Sequence, residues 1–153
     1  MKKPIYLMIV CVVFFACNQS SNKTEVKDHG IDEHAAITDM ELSLNNGNKW
    51  KADLITNNNV AGLKTIIDKF KIKTLPSVTD YQFLGTDLNS GLNKMIQECR
   101  MKGPDHDALH KWLEPVLKGS YQLKTISDTA VARKFFNSID ERINAYYNYF
   151  EEI

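Results

Sequence analysis

The sequence predicts an all-α domain, an antiparallel four-helix bundle, and two features of residues 40–153 support it. Apolar residues recur at every third or fourth position in separate stretches, as they do along one face of an amphipathic helix. Short polar, Gly or Pro breaks separate these stretches. Amphipathic helices with short connections bury their apolar faces most simply by packing side by side and antiparallel.

Residues 1–16 resemble a signal peptide. Lys2 and Lys3 precede an apolar run of eleven residues from Ile5 to Phe15, which is shorter than the about 20 residues of a membrane-spanning helix. The sequence from Phe14 to Cys17, F-F-A-C, resembles a lipobox. We therefore expect cleavage before Cys17, lipid on Cys17, and attachment to a membrane of the bacterial cell envelope outside the cytoplasm. An ordinary cleavable signal is the alternative.

Residues 17–39 are predicted to form a flexible tether between the lipid and the bundle. They are rich in Asn, Ser, Lys, Asp and Glu, so they bury too little apolar surface to offset the entropy of ordering. His29 and His34 lie in this stretch beside carboxylates, and we interpret them as solvated linker residues because a disordered segment fixes no ligand geometry. After the tether, the Asn46-Gly47 turn signal predicts an extended lead-in or hairpin that folds Trp50 onto the bundle.

The first predicted helix starts near Thr56 or Asn57, either of which can cap a helix N-terminus. Its apolar face contains Val60, Leu63, Ile67 and Phe70. We expect a break between Lys71 and Pro76, with Ser77 as the cap of the second helix and Gly103-Pro104 as its end. The apolar stripe of the second helix contains Tyr81, Leu84, Leu88, Leu92, Met95 or Ile96, and Cys99.

Asp105 is the predicted cap of the third helix, and Ser127 that of the fourth. Pro115 lies within the third helix and either bends it or lets it end near Gly119. One side of this helix contains His106, Leu109, His110, Leu113, Val116 and Leu117. The stripe of the fourth helix contains Val131, Phe135, Ile139, Ile143, Tyr146 or Tyr147, and Phe150.

Cysteine usage singles out one thiol. The chain has three cysteines; Cys11 leaves with the signal and Cys17 would carry lipid. Cys99 would then be alone in an exported compartment, where an unpaired cysteine is a buried thiol, a metal ligand or an intermolecular partner.

A metal site is predicted where the second helix turns into the third. Cys99 lies about 6 Å before Gly103 along its helix, and His106 and His110 occupy the first turns of the next helix. In an antiparallel pair these side chains face one another. Two thioethers compete as a further ligand, so the predicted set is Cys99, His110, His106, Met101 and Met95. Such a set suits copper, especially Cu(I), or zinc.

Nearby carboxylates are expected to orient the imidazoles by accepting their free N–H groups; the candidates are Glu98, Asp105 and Asp107. The alternative is a structural helix corner without metal. Histidines four residues apart occur by chance, and cysteine is among the most often buried residue types even when it is inert.

Three segments carry a resemblance that spans Leu42 to Phe150: N-N-G-N-K-W-K-A-D, C-R-M-K-G-P-D-H-D-A-L-H and Y-Y-N-Y-F. They resemble an uncharacterised group of small exported helical-bundle proteins of bacteria, in which a Cys is followed after a short break by a Leu-His pair. The resemblance implies that Cys99 and His110 are favoured over His106, and it implies a link to the handling of copper or other heavy metals.

We therefore expect a non-enzymatic envelope lipoprotein that binds a transition metal, copper first. The alternatives are a structural or partner-binding lipoprotein without metal, and a carrier of non-covalent haem with Met and His ligands. A catalytic Cys-His pair is disfavoured because a bundle interior leaves little room for a substrate. The absence of C-x-x-C-H excludes covalent haem, and 19 basic against 19 acidic residues give no reason to expect nucleic-acid binding.

Overall fold

The structure, a computed structural model, describes residues 41–153. The predicted signal peptide, the lipid on Cys17 and the tether lie outside these described residues. Within 41–153, the long helices are α1 (Leu54–Lys71), α2 (Val78–Glu98), α3 (Gly103–Thr125) and α4 (Thr129–Asn144), followed by the short α5 (Tyr146–Tyr149). Two short strands, β1 (Trp50–Ala52) and β2 (Phe150–Glu152), flank the helices. The predicted all-α four-helix bundle is confirmed.

Each long helix packs on the next along the chain, and α4 returns to contact α1. The shared core is apolar and fully buried, with Leu63, Ile67, Leu88, Leu92 and Ile139 among its members. Trp112 is also fully buried, and its indole N–H donates to the Arg142 carbonyl at 2.9 Å, which satisfies the polar atom inside the core.

The helix starts differ in part from the prediction. Ser77 caps α2 as expected, in a capping box where Asp80 accepts from the Ser77 backbone. The predicted caps of the other helices are wrong. Asp53 rather than Thr56 or Asn57 caps α1, and Asp128 rather than Ser127 caps α4. Asp53 lies before the predicted cap of α1, and Asp128 lies one residue after that of α4; each carboxylate accepts a free N–H of the first turn.

The start of α3 was also predicted too late. The helix begins at Gly103 rather than after Asp105, and it has no side-chain cap. Pro104 fits the first turn because its missing N–H would have no partner inside the helix there. Pro115 lies inside α3, which continues to Thr125 and does not end at Gly119.

The lead-in forms the expected hairpin turn. Asn45 and Asn48 exchange backbone hydrogen bonds of 2.8 and 3.0 Å, and Asn46 and Gly47 both have positive φ. The sequence did not predict the parallel pairing of β1 with β2, in which Trp50 lies opposite Phe150. This pairing joins the two ends of the bundle domain beside the corner between α2 and α3, where the Lys51 backbone N–H donates to Asp105 at 2.9 Å.

Candidate metal centre

The corner between α2 and α3 is a tight reversal. Cys99 caps the end of α2 with non-helical backbone angles (φ −58°, ψ 131°), and its N–H donates to the Met95 carbonyl at 2.9 Å. Gly103 has a φ of 69°, a left-handed conformation that a residue with a side chain rarely adopts. The connection places the first turns of α3 beside the last turns of α2, as the sequence predicted.

The two imidazoles of α3 lie side by side. The Nε2 atoms of His106 and His110 are 3.1 Å apart, and the rings meet edge to face with centroids 4.5 Å apart. Two nitrogens bound to one tetrahedral metal at about 2.0–2.1 Å would be about 3.3 Å apart. The observed spacing is therefore close to that of a chelating pair. It is also a hydrogen-bond distance when one neutral ring donates to the other.

A cleft of about 40 Å³ lies between the two helices at this corner. It is lined by Met95, Ile96, Cys99, His106, Leu109, His110 and Leu113. Four of the five predicted ligands thus line one small space. The fifth, Met101, is half-buried against the core and is not one of the cleft residues.

The side chains that line the cleft range from fully buried to solvent-exposed. Met95 is 1% exposed and lies at the bottom, whereas Cys99 and His106 are half-buried. His110 is exposed, and Ile96 is 47% exposed at the rim. Met95 and His110 therefore lie at opposite depths of the cleft, with Cys99 and His106 at intermediate burial.

No set of three or more His, Cys, Asp or Glu side chains in residues 41–153 is arranged to hold a metal ion. The two imidazoles are already close together, but the thiol shares their cleft without completing a set of three. Met95 is not one of these residue types, so its thioether is an additional donor.

Two of the three carboxylates expected to orient the imidazoles, Glu98 and Asp105, have other partners. Glu98 accepts hydrogen bonds from the side chains of Asn59 at 2.9 Å and Lys94 at 2.6 Å. Asp105 accepts the N–H of Lys51. Asp107 lines a separate cleft of about 150 Å³ beside Trp50.

The two charged residues that flank Cys99 in the sequence, Glu98 and Arg100, both have hydrogen-bond partners. The hydrogen bond from Lys94, and then that from Asn59, lower the pKa of Glu98 below its usual 4.5. Arg100 donates to the carbonyls of Gln97 at 2.9 Å and Cys99 at 3.0 Å. The guanidinium is thereby bound to backbone carbonyls at the end of α2, while the Glu98 carboxylate is engaged by Asn59 of α1 and by Lys94.

Two polar features of this corner were missed from the sequence. Tyr146 is fully buried, and its hydroxyl donates to Asn57 at 3.0 Å. Burial is the main cause that raises the pKa of Tyr146 far above 10, with Tyr147, Asp53 and Cys99 adding to it, so the phenol stays neutral. The other feature is the Asn59–Glu98–Lys94 network. The run of asparagines at the start of α1 is the only sequence signal for either.

No protein-family model, no curated protein and no solved structure matches the chain. Among the helices of residues 41–153, none is long and apolar enough to cross a membrane.

Proposed function

We propose that the protein is a non-enzymatic lipoprotein of the bacterial cell envelope that binds a transition-metal ion, copper first and zinc second, at the corner between α2 and α3. One observation carries the proposal. The Nε2 atoms of His106 and His110 lie 3.1 Å apart at the mouth of a cleft that a thiol and a thioether also line.

In this proposal, His106 and His110 are the first ligands. They lie on successive turns of one helix, so the backbone holds their spacing before an ion arrives. Little conformational entropy is then lost on binding, which favours affinity. The sequence resemblance favoured His110 with Cys99; the observed spacing gives His106 an equal part.

Cys99 is the proposed third ligand, as a thiolate. Its backbone lies at the helix end rather than inside the helix, and rotation about its single side-chain torsion moves the sulfur without breaking the hydrogen bond to Met95. A metal displaces the thiol proton, so the ligand carries one negative charge. Imidazole and thiolate together suit copper and zinc.

The size of the cleft favours an ion over the alternative ligands. A space of about 40 Å³ is small beside the roughly 300–1,000 Å³ of pockets that enclose drug-sized molecules. Haem and organic substrates would both require the helices to separate. This is the reason for preferring an ion carrier to a haem carrier or an enzyme.

The envelope location rests on the sequence of the leader, from Lys2 to Cys17. A lipid on Cys17 would hold the bundle at a membrane surface outside the cytoplasm. There the protein would meet metal ions before they reach the cell interior, so a tethered site would sequester or pass on ions in that compartment.

The test is a metal titration of the untagged, detergent-purified protein against a chromogenic chelator under reducing conditions. We expect one equivalent of Cu(I) to bind. Replacing any one of His106, His110 or Cys99 should weaken binding at least 100-fold, because each change removes one of three ligands. The matched controls are His29→Ala and His34→Ala, which remove the other two histidines of the chain.

Affinity that is the same in the wild type and in all three ligand variants would overturn the metal proposal. The corner would then be structural, and the protein a structural or partner-binding lipoprotein. Crosslinking in intact cells would in that case recover the same envelope protein with and without His106 and His110.

A further inference from the structure

We infer that the site selects a monovalent soft ion, Cu(I) or its analogue Ag(I), over divalent ions, and that Met95 contributes to this selection through its thioether. This inference rests on the proposed function and concerns which ion the same site holds. It is carried by the charges around the cleft and by the depth of Met95.

The first step is a count of ligand charge. Among the residues lining the cleft, none is an Asp or Glu. The imidazoles bind as neutral ligands, and the Cys99 thiolate supplies one negative charge. A monovalent ion therefore gives a neutral site, whereas a divalent ion leaves one positive charge without a counter-charge.

The second step is that neighbouring groups do not supply the missing charge. Glu98 is held by Lys94 and Asn59 at 2.6 and 2.9 Å, and Asp105 is held by the backbone of Lys51. Arg100, the residue after Cys99, donates from its guanidinium to the Cys99 carbonyl at 3.0 Å, and Asp107 beside His106 lines the separate cleft near Trp50. The carboxylates next to the candidate ligands thus have other partners or line another cleft, so an excess positive charge would have no carboxylate in its own cleft to balance it.

The third step is the apolar surroundings. Leu109 is 2% and Leu113 6% exposed, so the inner walls of the cleft are apolar and offer no polar side chain to an unbalanced charge. Zn(II) in a structural site requires four strong ligands, and the described cleft offers three. Cu(I) is satisfied by fewer ligands and accepts sulfur ligands readily.

The last step assigns the thioether. Met95 lies one helical turn before Cys99, lines the cleft and is 1% exposed. A thioether is a neutral, soft donor that Cu(I) and Ag(I) accept and Zn(II) rarely uses. Met101 is the matched comparison, because it has the same side chain at the same corner but is not one of the cleft residues.

The decisive experiment adds a negative charge to the cleft. Ile96 lines the rim of the cleft and is 47% exposed, so a carboxylate there should be tolerated. In the untagged full chain in detergent, Ile96→Glu should bind Zn(II) at least tenfold more tightly than the wild type. Ile96→Gln, of nearly the same shape without the charge, should show no gain. Cu(I) affinity should rise in neither variant.

In the wild type, Ag(I) should displace Cu(I), and Zn(II) in tenfold excess should not. Met95→Leu should weaken Cu(I) binding about tenfold and leave Zn(II) binding unchanged, while Met101→Leu should alter neither. If Met101→Leu weakens Cu(I) binding and Met95→Leu does not, the assignment of Met95 is wrong.

The two proposals fail in different ways. Zn(II) binding in the wild type that requires His106 and His110 and is as tight as in Ile96→Glu would overturn monovalent selection while leaving metal binding in place. Binding of neither ion in a manner that requires those histidines would remove the proposed function itself.

Discussion

The two ends of the α2–α3 pair differ in how closely the helices approach. At one end a methyl group on Gly85 would lie 2.8 Å from the Leu123 Cβ, the Lys124 nitrogen and the Ser120 oxygen, so only glycine fits. About 20 Å further along α2, the same helices are separated by the side chains that line the 40 Å³ cleft.

The difference indicates a division of roles along one helix pair. At the Gly85 end the backbones themselves are in contact, and the free energy of unfolding depends on their close approach. At the corner the helices meet through sulfur-containing, imidazole and apolar side chains. Of these, His110 and Ile96 are exposed to solvent. We therefore expect substitutions at the first end to change stability, and substitutions at the second to change ion binding.

The largest expected effect is a loss of stability at the Gly85 end of the α2–α3 pair. Gly85→Ala should lower the free energy of unfolding by about 3 kcal/mol, because the new methyl meets backbone atoms that cannot move without separating the helices. Urea denaturation measures this value. The control is Gly62→Ala on α1, where nothing lies within 4 Å; it should raise stability by about 0.5–1 kcal/mol. Equal effects of the two substitutions would contradict the close approach.

The next largest effect is expected at the corner between α2 and α3, where ion binding should stabilise the protein. Cu(I) at 100 times its dissociation constant should stabilise the protein by about 2.7 kcal/mol, and His110→Ala should remove this gain. Without metal, His110→Ala should change stability by less than about 0.5 kcal/mol, because the ring is exposed. Thermal melts with and without Cu(I) check both expectations. A large loss of stability in the metal-free variant would mean that His110 is structural.

A smaller effect is expected where α2 is held to α1 just before Cys99. Asn59→Ala should lower the free energy of unfolding by about 1–2 kcal/mol, since it removes the bonds to Glu98 and Lys94 from a residue that is 8% exposed. The exposed neighbour Asn58 provides the control, Asn58→Ala. Similar chemical-denaturation midpoints for the two variants would show that the network adds nothing to stability.

The smallest expected effect is the loss of stability at low pH that protonation of Asp80, at the start of α2, should cause. Hydrogen bonds from Lys73 first, and from Ser77 second, hold the pKa of Asp80 far below its usual 3.8. A carboxylate with a lowered folded-state pKa stabilises the fold above its unfolded pKa, and this contribution is lost as the pH falls below that value. Stability should therefore decline between about pH 5 and pH 2, and the decline should be shallower in Asp80→Asn. Identical slopes would contradict the role of Asp80.

Much of the fold could be predicted because its signals are local. The apolar periodicity of Leu63 and Ile67, or of Leu88 and Leu92, already predicts a helix face. The parallel pairing of Trp50 with Phe150 could not be predicted, because each strand has only three residues and the partners are 100 positions apart. No local pattern reports a contact of that kind.

The sequence predicted that four of the residues lining the candidate cleft lie close together, but not the hydrogen-bond partners of the groups around them. Helical spacing places His106 and His110 on one face, and an antiparallel turn places Cys99 near them. The choice between Met95 and Met101 depends on how the chain leaves α2. The partners of Glu98 depend on α1, which is distant in sequence. Both are set by tertiary packing rather than by the residues of the corner itself.

The most direct test of the account is X-ray absorption spectroscopy at the copper edge of the Cu(I)-loaded protein. The account predicts imidazole nitrogen and sulfur in the first coordination shell, with the sulfur contribution reduced in Cys99→Ser and imidazole lost in the His106→Ala, His110→Ala double variant. A first shell without sulfur, or one that these substitutions leave unchanged, would contradict a metal site at this corner.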